Sequence, residues 1–170
     1  PDVIFLCNPN NPTGRLISFS LLKKILKFCV KSNIRLFIDE CFLDLTDDGI
    51  SMKNYITEYP QLFILKAFTK SYGMAGARLG YCMSSHSELL FKMSQFIQPW
   101  NVSGIAQTAG IAALKEQQFL ENTRKLIIAE RKWLKDNLEK LGFWVCPSQV
   151  NYLLWQGLID LDKELKKRGI

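Results

Sequence analysis

The stretch LFILKAFTKSYGMAGARLGY, Leu62–Tyr81, decides the fold. Its first part, LFILKAF (62–68), is a continuous apolar run with no alternation. Such a run suits a strand covered on both faces, as in a parallel sheet. Thr69 and Lys70 follow at once, and a glycine-rich path leads to Arg78, eight positions after the lysine. The connection TKSYGMAG is too short for a helical crossover. The next run, ARLGYCMS, is therefore predicted to pair antiparallel.

Upstream, VIFLC (Val3–Cys7) and RLFI (Arg35–Ile38) are two more apolar runs. Between them, SFSLLKKILKFCVKS carries a helical stripe of Leu21, Leu22, Ile25, Leu26 and Cys29, with Ser18 or Ser20 as cap. GISMKNYITEYP has room for a short helix and a crossover to the third strand. This β-α-β-α-β rhythm predicts an α/β fold with a mostly parallel sheet and right-handed crossovers.

Downstream the chain reads as mostly helical: HSELLFKMSQFI, VSGIAQTAGIAALKEQ, and a long helix QFLENTRKLIIAERKWLKDNLEKLG stopped by Gly142 at the C′ position. Leu120, Ile127, Leu134 and Leu141 recur every seven residues, but the run is short for a coiled coil, and a spine between two units fits better. The Trp and Phe residues on these helices are expected to be mostly core. FWVCPSQVNYLLWQG predicts two short strands, and DLDKELKKRG a further helix. The expected division is 1–124 for the central part of a large domain, and 125–170 for a connecting helix and the start of a small α+β domain. Both ends read as cut within structured elements, so a fragment of a longer polypeptide is expected.

The 170 residues suffice for a real core, and 48% hydrophobic with 22% charged residues excludes a disordered chain. Net charge is +6, but Lys and Arg are spread along helices, as in LLKKILKF and ELKKRGI. Solvated helix faces account for them better than a nucleic-acid surface. Five widely spaced cysteines without a C-x-x-C signal neither zinc nor a disulfide framework, and suit a reducing, cytoplasmic setting. A lone histidine, His86, argues against a His-based metal site or a Ser-His-Asp triad; as the residue entering a helix it has a structural use. No apolar run approaches the ~18 residues of a membrane span.

Ligands of open parallel α/β sheets bind beyond the carboxyl ends of the strands. After VIFLC comes NPNNPTG, with Asn8, Asn11, Thr13 and Gly14; after RLFI comes DECF, with Asp39 and Glu40; after LFILKAF come Thr69 and Lys70. An amide, a carboxylate and an amine at one rim suit pyridoxal 5′-phosphate. The lysine forms a Schiff base with the aldehyde, a carboxylate keeps the pyridine nitrogen protonated, and Arg78 can hold the phosphate as a bidentate donor. Asn8 and Glu40 read more simply as structural.

NPNNPTG, DECF and AFTKSYGMAGARLGY resemble, in order, three signature segments of the class I/II aminotransferases, the fold-type I pyridoxal-phosphate enzymes. The likeness extends to SQVNYLLW and is strongest to the histidinol-phosphate aminotransferase and threonine-phosphate decarboxylase branch. The resemblance implies that Lys70 is the Schiff-base lysine and proton shuttle and that Asp39 pairs with the pyridinium. It implies that Asn11 bonds the ring 3′-oxygen and that Thr69 and Arg78 hold the phosphate. It also implies a homodimer acting on an amino acid or amino phosphate, with the phosphate-binding turn and the carboxylate-binding arginine outside these 170 residues. These residues alone are then expected to be inactive.

Two positions depart from the family pattern. Ala67 stands where Ser or Thr gives a further phosphate contact, and Phe42 stands where Tyr donates to the ring oxygen. Phe at this place is commoner in the decarboxylase branch. The alternatives are a threonine-phosphate decarboxylase of cobalamin biosynthesis and an aminotransferase-like effector-sensing domain of a transcription regulator.

Overall fold

The computed structural model describes residues 1–157 and 160–170. Three strands, β1 (Val3–Cys7), β2 (Arg35–Asp39) and β3 (Leu62–Ala67), pair in parallel in that order. β4 (Gly80–Met83) closes the sheet antiparallel to β3, with Ala67 opposite Gly80 and Ile64 opposite Met83. The helix α1 (Phe19–Lys31) starts at Ser18, whose side chain accepts from the Leu21 N–H. Its Leu22, Leu26 and Cys29 pack on Leu36, Ile38, Leu62 and Ile64, with Met52 beneath the crossover. That layer is the hydrophobic core.

The other face of the sheet carries a stack of aromatic rings. Phe5 and Phe37 lie 4.9 Å apart, and Phe37 and Phe63 4.4 Å. Phe5 is nonetheless 70% exposed. Among the described residues, β1 is therefore covered on one face only. Among the described residues it stands at the edge of the sheet, and no element covers its Phe5 side.

β3 ends at Ala67, and Phe68 already opens a one-turn helix, α2 (Phe68–Ser71). The backbone leaves the strand there because the Phe68 N–H donates to the Leu79 carbonyl at 3.0 Å, at the foot of β4. A short 3₁₀ turn, Ala75–Ala77, leads to Arg78.

The helices α3 (Ser87–Ser94), α4 (Gly104–Ala113) and α5 (Gln117–Lys140) follow. His86 caps α3, its Nδ1 accepting from the Leu89 N–H at 3.3 Å. Gly142 lies just past α5 with φ +84°, the left-handed geometry of a C′ glycine. The boundary at 124/125 falls inside α5. The aromatics of these helices are not core: Phe91, Phe119 and Trp133 are exposed, as is Phe28 on α1. An apolar side chain is buried only where another layer meets it, and among the described residues none covers these faces. Beyond α5, β5 (Trp144–Val145) and β6 (Trp155–Gln156) pair antiparallel, and α6 (Leu161–Lys167) ends the chain.

Candidate active site

The carboxyl ends of β1, β2 and β3 deliver their following residues to one rim. The Asn8 N–H donates to the Asp39 carbonyl at 2.9 Å, joining the NPNNPTG loop to the end of β2. The Asp39 carboxylate is half-buried, and its Oδ1 accepts from the Cys41 N–H at 2.9 Å. Burial, and then the hydrogen bond and negative charge of Asp39, push the Cys41 thiol up to about 12.

Lys70 lies on α2 with its Nζ 5.6 Å from the centre of the Phe42 ring. That places the amine beside the residue three positions after Asp39. Thr69 is half-buried on the same turn. Arg78 is exposed, takes a left-handed backbone (φ +53°), and donates from Nη1 to the Ala75 carbonyl at 3.2 Å. The bond from Phe68 to Leu79 holds Arg78 at the foot of β4, next to the turn bearing Thr69 and Lys70. Asn11 is exposed at the tip of its loop.

The structure thus brings Lys70 beside Phe42, three positions after Asp39 at the end of β2. It sets Thr69 beside Lys70, and Asn11 and Arg78 on flanking loops. Asn8 is buried, its Oδ1 accepting from the Ile17 N–H at 2.7 Å, which fits a structural use. Glu40, fully buried, faces away from Lys70 and takes hydrogen bonds from Ser51 Oγ (2.6 Å) and the Met52 N–H (2.9 Å).

Two features escaped the sequence reading. Lys66 is buried and pairs with Asp44 at 2.8 Å and Glu40 at 3.5 Å. Asp44 also accepts from Ser71 Oγ at 3.3 Å, tying this charged cluster to the turn that carries Lys70. A lysine inside an otherwise apolar strand run was the available signal, because a buried charge needs a partner. The second is Tyr152, whose ring meets the Phe42 ring edge-on at 5.0 Å. Burial, then the charges of Cys7 and Asp39, raise its phenol to about 12.

The donor set fits pyridoxal 5′-phosphate. Among the described residues Lys70, Arg78 and Asp39 enter no ion pair, whereas nearby Lys66 is fully committed to Glu40 and Asp44. An amine, a guanidinium and a carboxylate near this rim thus stand without an ion-pair partner among the described residues. No group of three or more His, Cys, Asp or Glu among the described residues could hold a metal ion.

The fold is that of the fold-type I pyridoxal-phosphate-dependent transferases. The chain belongs to the aminotransferase class I and II family, whose model matches residues 1–168. It is 33% identical over 167 residues to a histidinol-phosphate aminotransferase of Brevibacillus brevis, covering 97% of this chain and 45% of that protein. The histidinol-phosphate aminotransferase of Clostridium acetobutylicum superposes with a TM-score of 0.89 at 32% identity, over 98% of this chain and 52% of its own. The L-threonine-O-3-phosphate decarboxylase of Porphyromonas gingivalis gives a TM-score of 0.81 at 25% identity, over 98% of this chain and 53% of its own. The chain spans about half the length of the relatives it matches.

Proposed function

We propose that these residues form the central part of a histidinol-phosphate-aminotransferase-like enzyme acting on an amino acid or amino phosphate. The observation that carries this reading is the approach of Lys70 to Phe42 at the carboxyl rim where β2 ends in Asp39, in a chain of this family. Residues 1–124 then belong to the cofactor-binding domain, and 125–170 lead into the small domain. A homodimer and a cytoplasmic setting accompany the proposal. No helix among the described residues is long and apolar enough to cross a membrane.

Pyridoxal 5′-phosphate, when bound, supplies an aldehyde for covalent capture of amines and a ring that withdraws electrons from the substrate α-carbon. Lys70 would be the covalent anchor, and its Nζ would then hold and move the proton at the substrate α-carbon. Asp39 would hold a proton on the ring nitrogen; its Oδ1 accepts from the Cys41 N–H, which fixes the carboxylate. Thr69 and Arg78 bind the phosphate, and Asn11 donates to the ring 3′-oxygen. The αL backbone of Arg78 accompanies a guanidinium turned back over the loop to the Ala75 carbonyl.

A second reading, threonine-phosphate decarboxylation, is favoured by one residue: Phe42, which carries no hydroxyl where the aminotransferase pattern has one. Product analysis on the full-length enzyme separates the two. Conversion of oxoglutarate to glutamate with histidinol phosphate identifies the transaminase, and carbon dioxide release from threonine phosphate identifies the decarboxylase. Neither product from the full-length enzyme would leave the effector-sensing reading.

A further inference from the structure

The loop that presents Asn11 is held from outside by a segment more than 130 residues away. The loop closes on itself, with Asn10 N–H to the Arg15 carbonyl at 2.9 Å and Gly14 N–H to the Asn10 carbonyl at 2.7 Å. Residues Ser148–Tyr152, beyond α5, then grip it on both sides of Asn11. Tyr152 donates its hydroxyl to the Asn10 carbonyl at 3.1 Å. The Gln149 N–H donates to the Gly14 carbonyl at 2.9 Å, and Gln149 Oε1 accepts from the Leu16 N–H at 3.1 Å.

The gripping segment is itself braced. Val150 is fully buried and its carbonyl accepts from Arg131 Nη1 on α5 at 3.2 Å. Arg131 also pairs with Asp47 at 2.6 Å, and Gln149 Nε2 donates to Asp48 at 3.2 Å. Gly14 sits at φ +71° directly against Ser148, where a β-carbon would collide with the serine side chain. Only glycine allows both the turn and the close approach. Such fitting is not needed merely to end a surface loop.

We propose that Gln149 and Tyr152 are positioning residues that hold the Asn10–Leu16 loop so that Asn11 reaches the cofactor ring oxygen. The segment beyond α5 thereby controls a contact in the cofactor site. The proposal rests on the reading of Asn11 as the donor to that oxygen. Removing a donor from the ring oxygen strengthens that oxygen's hold on the neighbouring proton, so the pKa seen in the visible absorption of the lysine-bound cofactor should rise.

The test uses the full-length protein and the variants Asn11→Ala, Gln149→Ala, Tyr152→Phe and Asn11→Ala/Gln149→Ala. In the cofactor-free protein, amide hydrogen exchange at Leu16 should quicken about five- to tenfold in Gln149→Ala, the effect of one lost hydrogen bond. In the holo form, Gln149→Ala and Tyr152→Phe should raise the visible-band pKa in the same direction as Asn11→Ala. Gln149→Ala should add nothing once Asn11 is alanine. A Gln149→Ala protein with faster exchange but the parental pKa would overturn the proposal alone, as would fully additive shifts. An Asn11→Ala titration identical to the parent would overturn the assignment of Asn11, and the proposal with it.

Discussion

Lys66→Met should destabilise the protein far more than any exposed lysine change. The methionine keeps the buried aliphatic stem and removes the ammonium. Asp44 is 39% exposed, so solvent screens its share and the loss of that pairing costs only about 0–1 kcal/mol. Glu40 is different, because it is fully buried and Lys66 is its only cationic neighbour among the described ion pairs. Removing one member of a buried pair typically costs about 3–5 kcal/mol. Glu40 keeps its bonds from Ser51 Oγ and the Met52 N–H, which places the expectation near the lower end, at roughly 3 kcal/mol. The assay is urea denaturation of the full-length protein at neutral pH, with the exposed helix-pair residue Lys132→Met as control. The double variant Lys66→Met/Glu40→Gln leaves no stranded charge, while the glutamine carbonyl still accepts from the Met52 N–H. It should recover about 2 kcal/mol over the single variant. A Lys66→Met loss below about 1 kcal/mol, or a double variant no more stable than the single, would refute the reasoning.

Borohydride reduction of the holoenzyme and peptide mapping should place the pyridoxyl group on Lys70; a label on Lys66 or another lysine would remove the assignment. Asp39→Ala should lower kcat far more than Asp39→Glu, and equal rates for Asp39→Ala and the parent would show that another group protonates the ring nitrogen. Phe42→Tyr should lower the visible-band pKa of the bound cofactor by roughly one to two pH units, since a hydrogen bond to a charged group contributes about 1.5–3 kcal/mol; an unchanged or raised value would mean that residue 42 does not face the ring oxygen. Cys41, with its thiol raised to about 12, stays protonated at pH 8.5 and should resist iodoacetamide in the native protein while reacting once unfolded; rapid native labelling at Cys41 would contradict its burial beside Asp39.

The parallel order of the strands and the antiparallel return were legible because each rests on local chemistry. Continuous apolar runs separated by a crossover of helical length leave few other arrangements, and an eight-residue connection leaves no room for a crossover. The position of the rim residues was legible for the same reason, since Asp39 closes β2 and Asn11 and Lys70 come shortly after the ends of β1 and β3. What the sequence concealed lies across the chain. Nothing near residue 152 indicates that its phenol meets a carbonyl 142 positions earlier, and nothing in RLFIDE shows that Glu40 turns from the rim to meet Lys66. Pleat alternation would have offered half of this. Asp39 lies opposite Leu65 in the register, so the next residues on each strand, Glu40 and Lys66, point together to the opposite face. One face of the β2–β3 ends therefore carries Asp39, the carboxylate we propose for the cofactor, and the other carries the buried charges of Glu40 and Lys66. The exposed aromatics fail in the reverse direction. Phe5 and Trp133 have the composition of core residues, but burial is a property of what packs against them, and no periodicity within the chain supplies that partner.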